Sequence, residues 1–124
     1  MKTSFKELNE VRPAILRILQ SPMDAKLAYR LSKIANKIDN QYKAIEKQRR
    51  ELVNKYGERK EDAIRVPDNK MKEFEAELNS FLEKEFDLDI QLIPWEVVEQ
   101  AGIKLAPMDI AVLEKFIGVP VGLR

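Results

Sequence analysis

The stretch from Asp24 to Tyr56, DAKLAYRLSKIANKIDNQYKAIEKQRRELVNKY, decides the fold of this chain. It contains neither Gly nor Pro, and Gly57 follows it. Apolar side chains fall at Leu27, Leu31, Ile34, Ile38, Tyr42, Ile45, Leu52 and Tyr56. Apart from one repeated four-residue step at Tyr42 and a polar gap around Gln48 and Arg49, the spacing alternates three and four. That pattern predicts one amphipathic helix, about 50 Å long at 1.5 Å per residue. Asp24 is a good N-cap, and Gly57 stands where a left-handed C-terminal cap is expected. A helix of this length exceeds what a globule of 124 residues needs for its diameter, so part of it is expected to project.

Downstream, Gly57 to Val66 reads as a charged connection with Ile64 and Val66 as its apolar anchors. Pro67-Asp68-Asn69 then opens a second helix, with Asp68 or Asn69 as cap. Met71, Phe74, Leu78, Phe81 and Leu82 form its stripe, and its end is expected near Phe86. At roughly 27 Å it is about half as long as the first. An antiparallel hairpin is the economical packing, with the shorter helix on the distal part of the longer one. The proximal part is left for the segments on either side.

Upstream, a short helix is expected from about Asn9 to Leu19, burying Val11, Ile15, Leu16 and Leu19. Ser4-Phe5-Lys6-Glu7 has the form of a capping box and would start the helix earlier; the residues leave both starts open. Pro13 belongs in a first helical turn or at a kink. On the C-terminal side the period changes. Asp87-Leu88-Asp89-Ile90-Gln91-Leu92 alternates polar and apolar, which predicts a half-buried strand. Its expected partner is Ala63–Val66 or Thr3–Leu8. Pro94 to Gln100 reads as a short helix closed by Gly102, and Pro107 to Ile117 as a last helix ending at Gly118. The tail from Val119 to Arg124 is apolar and rich in breakers.

The fold expected is therefore mainly α with a small β element, in the α+β class. It is one domain over 1–124: an N-terminal helix (1–22), a long antiparallel helical hairpin of coiled-coil character (24–86), and a compact base of one or two strands, short helices and tail (87–124). With 44% apolar residues the chain can bury a core.

Composition removes most chemistry. The chain has no His and no Cys. This excludes thiolate zinc sites, iron–sulfur clusters, disulfides, Cys nucleophiles, Ser-His-Asp triads and imidazole ligands. No cofactor and no metal are expected, and the chain reads as a non-enzyme. Asp87 and Asp89 would share one strand face, as magnesium-binding carboxylates do, but a lone D-x-D reads better as the wet face of an edge strand. Pro67-Asp68 begins a nuclease-like signature, yet the only E-x-K nearby, Glu58-Arg59-Lys60, precedes it and lies in a loop. The four glycines are too dispersed to cradle a phosphate. MKTSFKELNE carries no apolar h-region, and no apolar run nears the roughly 20 residues of a membrane span. The expectation is a soluble protein of a reducing cytoplasm.

Charge is the more informative property. Lys+Arg number 22 and Asp+Glu 21, a net +1. Along the chain the balance splits: residues 26–60 carry +7 and residues 68–99 carry −7. Lys26, Arg30, Lys33 and Lys37 line one stripe of the long helix at helical spacing, and Lys43, Lys47 and Arg50 a second. One reading makes the first stripe a nucleic-acid face. The other makes the two arms complementary, fixing their register as flanking charges do in coiled coils. The matched totals favour the second reading. Tyr29, Tyr42 and Tyr56 read as packing residues, so no aromatic side chain is taken as interleaved with the basic stripe for base stacking. Trp95, the single tryptophan, is a core anchor or an interface residue. Together with Val119, Val121 and Leu123 of the tail it forms the candidate protein-binding set.

The order of features resembles a group of small proteins of unknown function encoded by tailed bacteriophages. The residues that carry the likeness are Lys-Leu-Ala-Tyr-Arg-Leu-Ser-Lys (26–33), Leu-Val-Asn-Lys-Tyr-Gly (52–57) and Phe-Glu-Ala-Glu-Leu-Asn-Ser-Phe-Leu (74–82). Leu-Asp-Ile-Gln-Leu-Ile-Pro (88–94) and Gly-Ile-Lys-Leu-Ala-Pro-Met-Asp-Ile-Ala-Val-Leu (102–113) complete it. The resemblance implies a viral origin and a host cytoplasm, and transfers no activity or site residue. The function expected is a protein-binding module, partnered by a viral or host protein and able to self-associate. A nucleic-acid-binding accessory protein is the alternative.

Overall fold

A computed structural model describes residues 1–119 and Gly122. Strand β1 (Lys2–Ser4) runs directly into α1 (Phe5–Ile18), and a turn leads to the long helix α2 (Ala25–Tyr56). A small hairpin, β2 (Glu58–Lys60) and β3 (Ala63–Arg65), precedes α3 (Asp68–Leu82). Then follow β4 (Glu85–Asp87), β5 (Ile93–Pro94), α4 (Trp95–Glu99) and α5 (Pro107–Leu113). A 3-10 turn (Glu114–Phe116) and β6 (Ile117–Gly118) complete the described elements. The fold is mainly helical with small strand pairs, an α+β class.

The core follows the stripe read from the sequence. On α2, Leu27, Leu31, Ile34, Ala35, Ile38, Ile45 and Leu52 are buried.

 The buried set of α1 is Leu8, Val11, Ala14, Ile15 and Ile18. Each fully buried Leu or Ile contributes about 1.5–3 kcal/mol, so the α1–α2 pair supplies most of the apolar stabilisation. Leu88, Ile93, Ala101, Leu113, Phe116 and Ile117 join the same cluster from the C-terminal part. On α3 no residue is fully buried: Met71, Phe74, Leu78, Phe81 and Leu82 are half-covered, because α3 packs one side on α2 and on the start of α1.

The helix ends correct several expectations. The earlier start of α1 is the one observed: the Ser4 hydroxyl accepts from the Glu7 amide at 3.2 Å. The capping box is half made, since the Glu7 carboxylate takes the Thr3 hydroxyl at 2.9 Å instead of reaching back to Ser4. Asp24 caps α2 as expected, accepting from the Lys26 amide. Gly57, however, is extended (φ −77°, ψ 152°) and not left-handed. Its need for glycine is close approach: a Cβ there would run into the Val53 carbonyl oxygen and Ile64. Pro67, not Asp68 or Asn69, holds the cap position of α3, and Asp68 is its first residue, where a carboxylate meets the positive end of the helix dipole. Gly102, past α4, does adopt the left-handed region at φ 67°.

The β element differs most. Three two-stranded sheets replace one. The strand expected at Asp87–Leu92 is Glu85–Asp87, so α3 ends at Leu82 and not near Phe86. β4 pairs antiparallel with β1, Lys2 facing Asp87 and Ser4 facing Glu85. The ladder closes on Leu88, whose amide donates to the Met1 carbonyl at 2.7 Å. Beyond it, the Asp89 carbonyl is taken by the Lys37 ammonium instead of a neighbouring strand, and the extended ladder stops. Phe86 is drawn into this strand by Phe5, whose ring lies 4.6 Å from Phe86 and 4.7 Å from Phe81. Ala63–Arg65 pairs with Glu58–Lys60 and not with the β4 region. β5 and β6 pair in parallel, Ile93 facing Ile117, and this pairing shortens the last helix from the expected Ile117 to Leu113.

Candidate functional site

Lys26, Arg30, Lys33 and Lys37 stand on the N-terminal half of α2, and the structure brings all four to one cleft. The cleft has a volume of about 740 Å³. Tyr29, Ile34 and Asn36 of the same helix complete one wall, and Asp89, Ile90 and Gln91, just past β4, form the other. The burial of Leu27, Leu31, Ile34 and Ile38 fixes the rotation of α2, so the basic stripe, turned roughly 100° from the buried one, lies along its flank.

The basic stripe is mostly unneutralised. Of the cations in residues 26–60, only Lys37 and Lys55 reach a carboxylate among the described residues. Lys37 lies 4.0 Å from Asp89, and Lys55 lies 2.7 Å from Glu77. The expected charge pairing of the hairpin arms is therefore a single ion pair between α2 and α3. The physical reason is placement. The acidic helix α3 covers the far end of α2, whereas the stripe from Lys26 to Lys37 begins at the near end, and even Lys37 lies roughly 27 Å along the axis from Lys55.

 Lys26, Arg30 and Lys33 consequently face the cleft without a carboxylate partner among the described residues.

The remaining ion pairs are structural ties. Arg12 donates to Asp39 at 2.8 Å and lies 4.3 Å over the Tyr42 ring, clamping α1 to α2. Arg17 reaches Asp109 of α5 at 2.5 Å. At the distal end, Glu77 accepts from Lys55 at 2.7 Å and from the Tyr56 hydroxyl at 2.5 Å. The hydrogen bond from Lys55, then that from Tyr56, holds the Glu77 carboxyl below its ordinary value. The same contacts with Glu77 raise Lys55 and Tyr56. None of these shifts brings a group to titrate near neutral pH, so the cluster fastens the hairpin and offers no acid or base.

Tyr29 corrects the reading of the aromatics. Tyr42 is half-buried against the core and Tyr56 is half-buried at the hairpin, but Tyr29 is 62% exposed in the cleft. The Lys33 ammonium lies 4.7 Å from its ring centroid. An aromatic residue is thus interleaved with the basic stripe. Helical geometry carries the signal: at 100° per residue, Tyr29 lies about 160° from Leu27 and only about 60° from Lys26. Asn36 and Gln91 were likewise not singled out by sequence; Asn36 follows from the same angular arithmetic, and Gln91 only from the tertiary fold.

Trp95 and Val119 are both half-buried and pack against the core. Val121 and Leu123 lie outside the described residues. Asp87 ends β4 while Asp89 lies beyond it at the cleft, so the two do not share a strand face. Among the described residues there is no group of three or more metal-ligating side chains, and no helix is long and apolar enough to cross a membrane.

Fold and site together define a mainly helical α+β protein with an open, positively charged cleft on its longest helix. No protein-family model, curated protein or solved structure matches the chain.

Proposed function

We propose that this chain is a non-enzymatic nucleic-acid-binding protein that holds the phosphate backbone of its ligand on the α2 cleft. One observation carries the reading: Lys26, Arg30 and Lys33 line the cleft with no carboxylate partner among the described residues. Cations left in this state attract a polyanion through release of its condensed counterions, which needs no sequence-specific contact. A net charge of +1 does not oppose this, because the field that a ligand meets is set within about one Debye length of the cleft. The lack of Cys fits a reducing compartment, and a phage origin would make it a host cytoplasm.

Binding of a labelled oligonucleotide, followed by anisotropy at several salt concentrations, tests the reading. Three phosphate contacts give a slope of log K against log salt of roughly −2. Affinity then falls about 16-fold between 50 and 200 mM salt, the range over which such slopes are read. A slope near zero, or no saturable binding, contradicts the proposal.

A protein partner is the second reading. It draws on Met108, 79% exposed on α5, and on its exposed neighbour Ile110. Capture of a partner through that surface would survive charge reversal in the cleft.

A further inference from the structure

Three features lie outside the packing account: the basic cleft, the exposed apolar pair on α5, and the half-covered stripe of α3. The two apolar surfaces come with nothing that specifies an occupant. The cleft does, through the chemistry of its lining.

We infer that the ligand of the cleft is a single strand, DNA or RNA, and that one of its bases stacks on Tyr29. This rests on the nucleic-acid reading and narrows it. Tyr29 sits between Lys26 and Lys33 on the same helical face, so a strand whose phosphates meet those cations passes over its ring. The Lys33 ammonium, 4.7 Å from the centroid, holds the ring by a cation–π contact, and the residue remains 62% exposed. An open aromatic face beside cations is what single-strand binders use, because every base has a π-face. Asn36 and Gln91, on opposite walls, offer amide donors and acceptors to the edge of a base held between them.

The same geometry opposes a duplex. A helix that reads B-DNA enters the major groove, about 12 Å wide, with its basic face protruding. Here Asp89, Ile90 and Gln91 border the stripe as a second wall, so the stripe cannot enter a groove from that side. The Asp89 side chain is fully exposed on that wall and adds a negative charge where a second phosphate backbone would lie. A single strand needs only the floor and one wall.

The test uses the full chain and four labelled probes of equal length: oligothymidylate, oligouridylate, an abasic DNA strand and a duplex. The tighter of the two pyrimidine strands, compared also with oligodeoxyuridylate to separate the thymine methyl from the sugar, identifies the preferred nucleic acid. Oligothymidylate or oligouridylate is expected to bind at least about tenfold more tightly than the abasic strand and the duplex. Tyr29→Ala should remove about tenfold for the pyrimidine strand and little for the abasic one, while Tyr29→Phe keeps the affinity. Tyr29 is exposed, and circular dichroism of each variant verifies that the helices persist. If Tyr29→Ala binds as the parent does, or the abasic strand or duplex binds equally well, the inference fails while the basic cleft can still stand. If no nucleic acid binds saturably, or polyglutamate competes more strongly than any strand, both this inference and the nucleic-acid reading fail.

Discussion

Replacing both Arg30 and Lys33 by Glu is expected to weaken nucleic-acid binding by on the order of 100-fold while leaving the fold intact. Each substitution removes an attraction and adds a repulsion. At about 4 Å in a solvent-like dielectric each such term is worth roughly 1 kcal/mol before screening. Four of them, reduced by salt, correspond to two or so powers of ten. The fold is spared because neither side chain has a carboxylate partner among the described residues, and both face the cleft. Exposed substitutions of this kind usually stay within about 0.5 kcal/mol of the parent. The comparison is Lys43→Glu with Lys47→Glu. Lys43 and Lys47 lie about 15 and 21 Å along the axis from Lys33, beyond a Debye length of about 10 Å, so this pair should cost less. Anisotropy titrations and thermal melts of both double variants check the result. Equal losses in the two would make the effect one of overall charge, and a large fall in Tm would make it one of folding.

Phe116→Ala is expected to destabilise the whole molecule by about 3–5 kcal/mol. Phe116 is 2% exposed and joins the cluster that includes Ile15, Leu31 and Ile38. Removal of its ring leaves a cavity between the C-terminal segment and the α1–α2 pair. For a chain of this size each kcal/mol moves Tm by about 3–4 °C, so a fall of 10 °C or more is expected, on the order of the cavity term alone. Helix ellipticity and Trp95 fluorescence should fall together, since Trp95 packs against the same core. An unchanged helix melt with a shifted Trp95 signal would make the C-terminal segment an appendage and not a part of the core.

The long helix was legible because its period is strong: each buried Leu and Ile of α2 lies on the stripe read from Leu27 to Leu52. The cap at Asp24 was legible for a similar reason, being a local interaction. The pairing of β1 with β4 was harder to see. Strands of three residues carry almost no period, and Lys2 and Asp87 meet only because α1 and α3 bring them together. The four basic residues of the cleft are legible as one helical stripe, but which of them meet a carboxylate is not. Totals of charge along a sequence say nothing about where α3 lies on α2, and among the described residues only two ion pairs, Lys37–Asp89 and Lys55–Glu77, join the +7 and −7 segments. Tyr29 was grouped with Tyr42 and Tyr56 by residue type, although its angular position on the helix sets it apart. Gln91 reaches the cleft on the irregular segment between β4 and β5, which no local pattern announces.

The central claim is that the cleft on the N-terminal half of α2 binds nucleic acid. Backbone amide chemical shifts, followed while a pyrimidine strand is added to the labelled protein, test it most directly. The account predicts perturbations concentrated at residues 26–37 and 89–91, with little change at Met108 and Ile110. Perturbations centred on α5, spread evenly along α2 to Tyr56, or absent at saturating strand would contradict it.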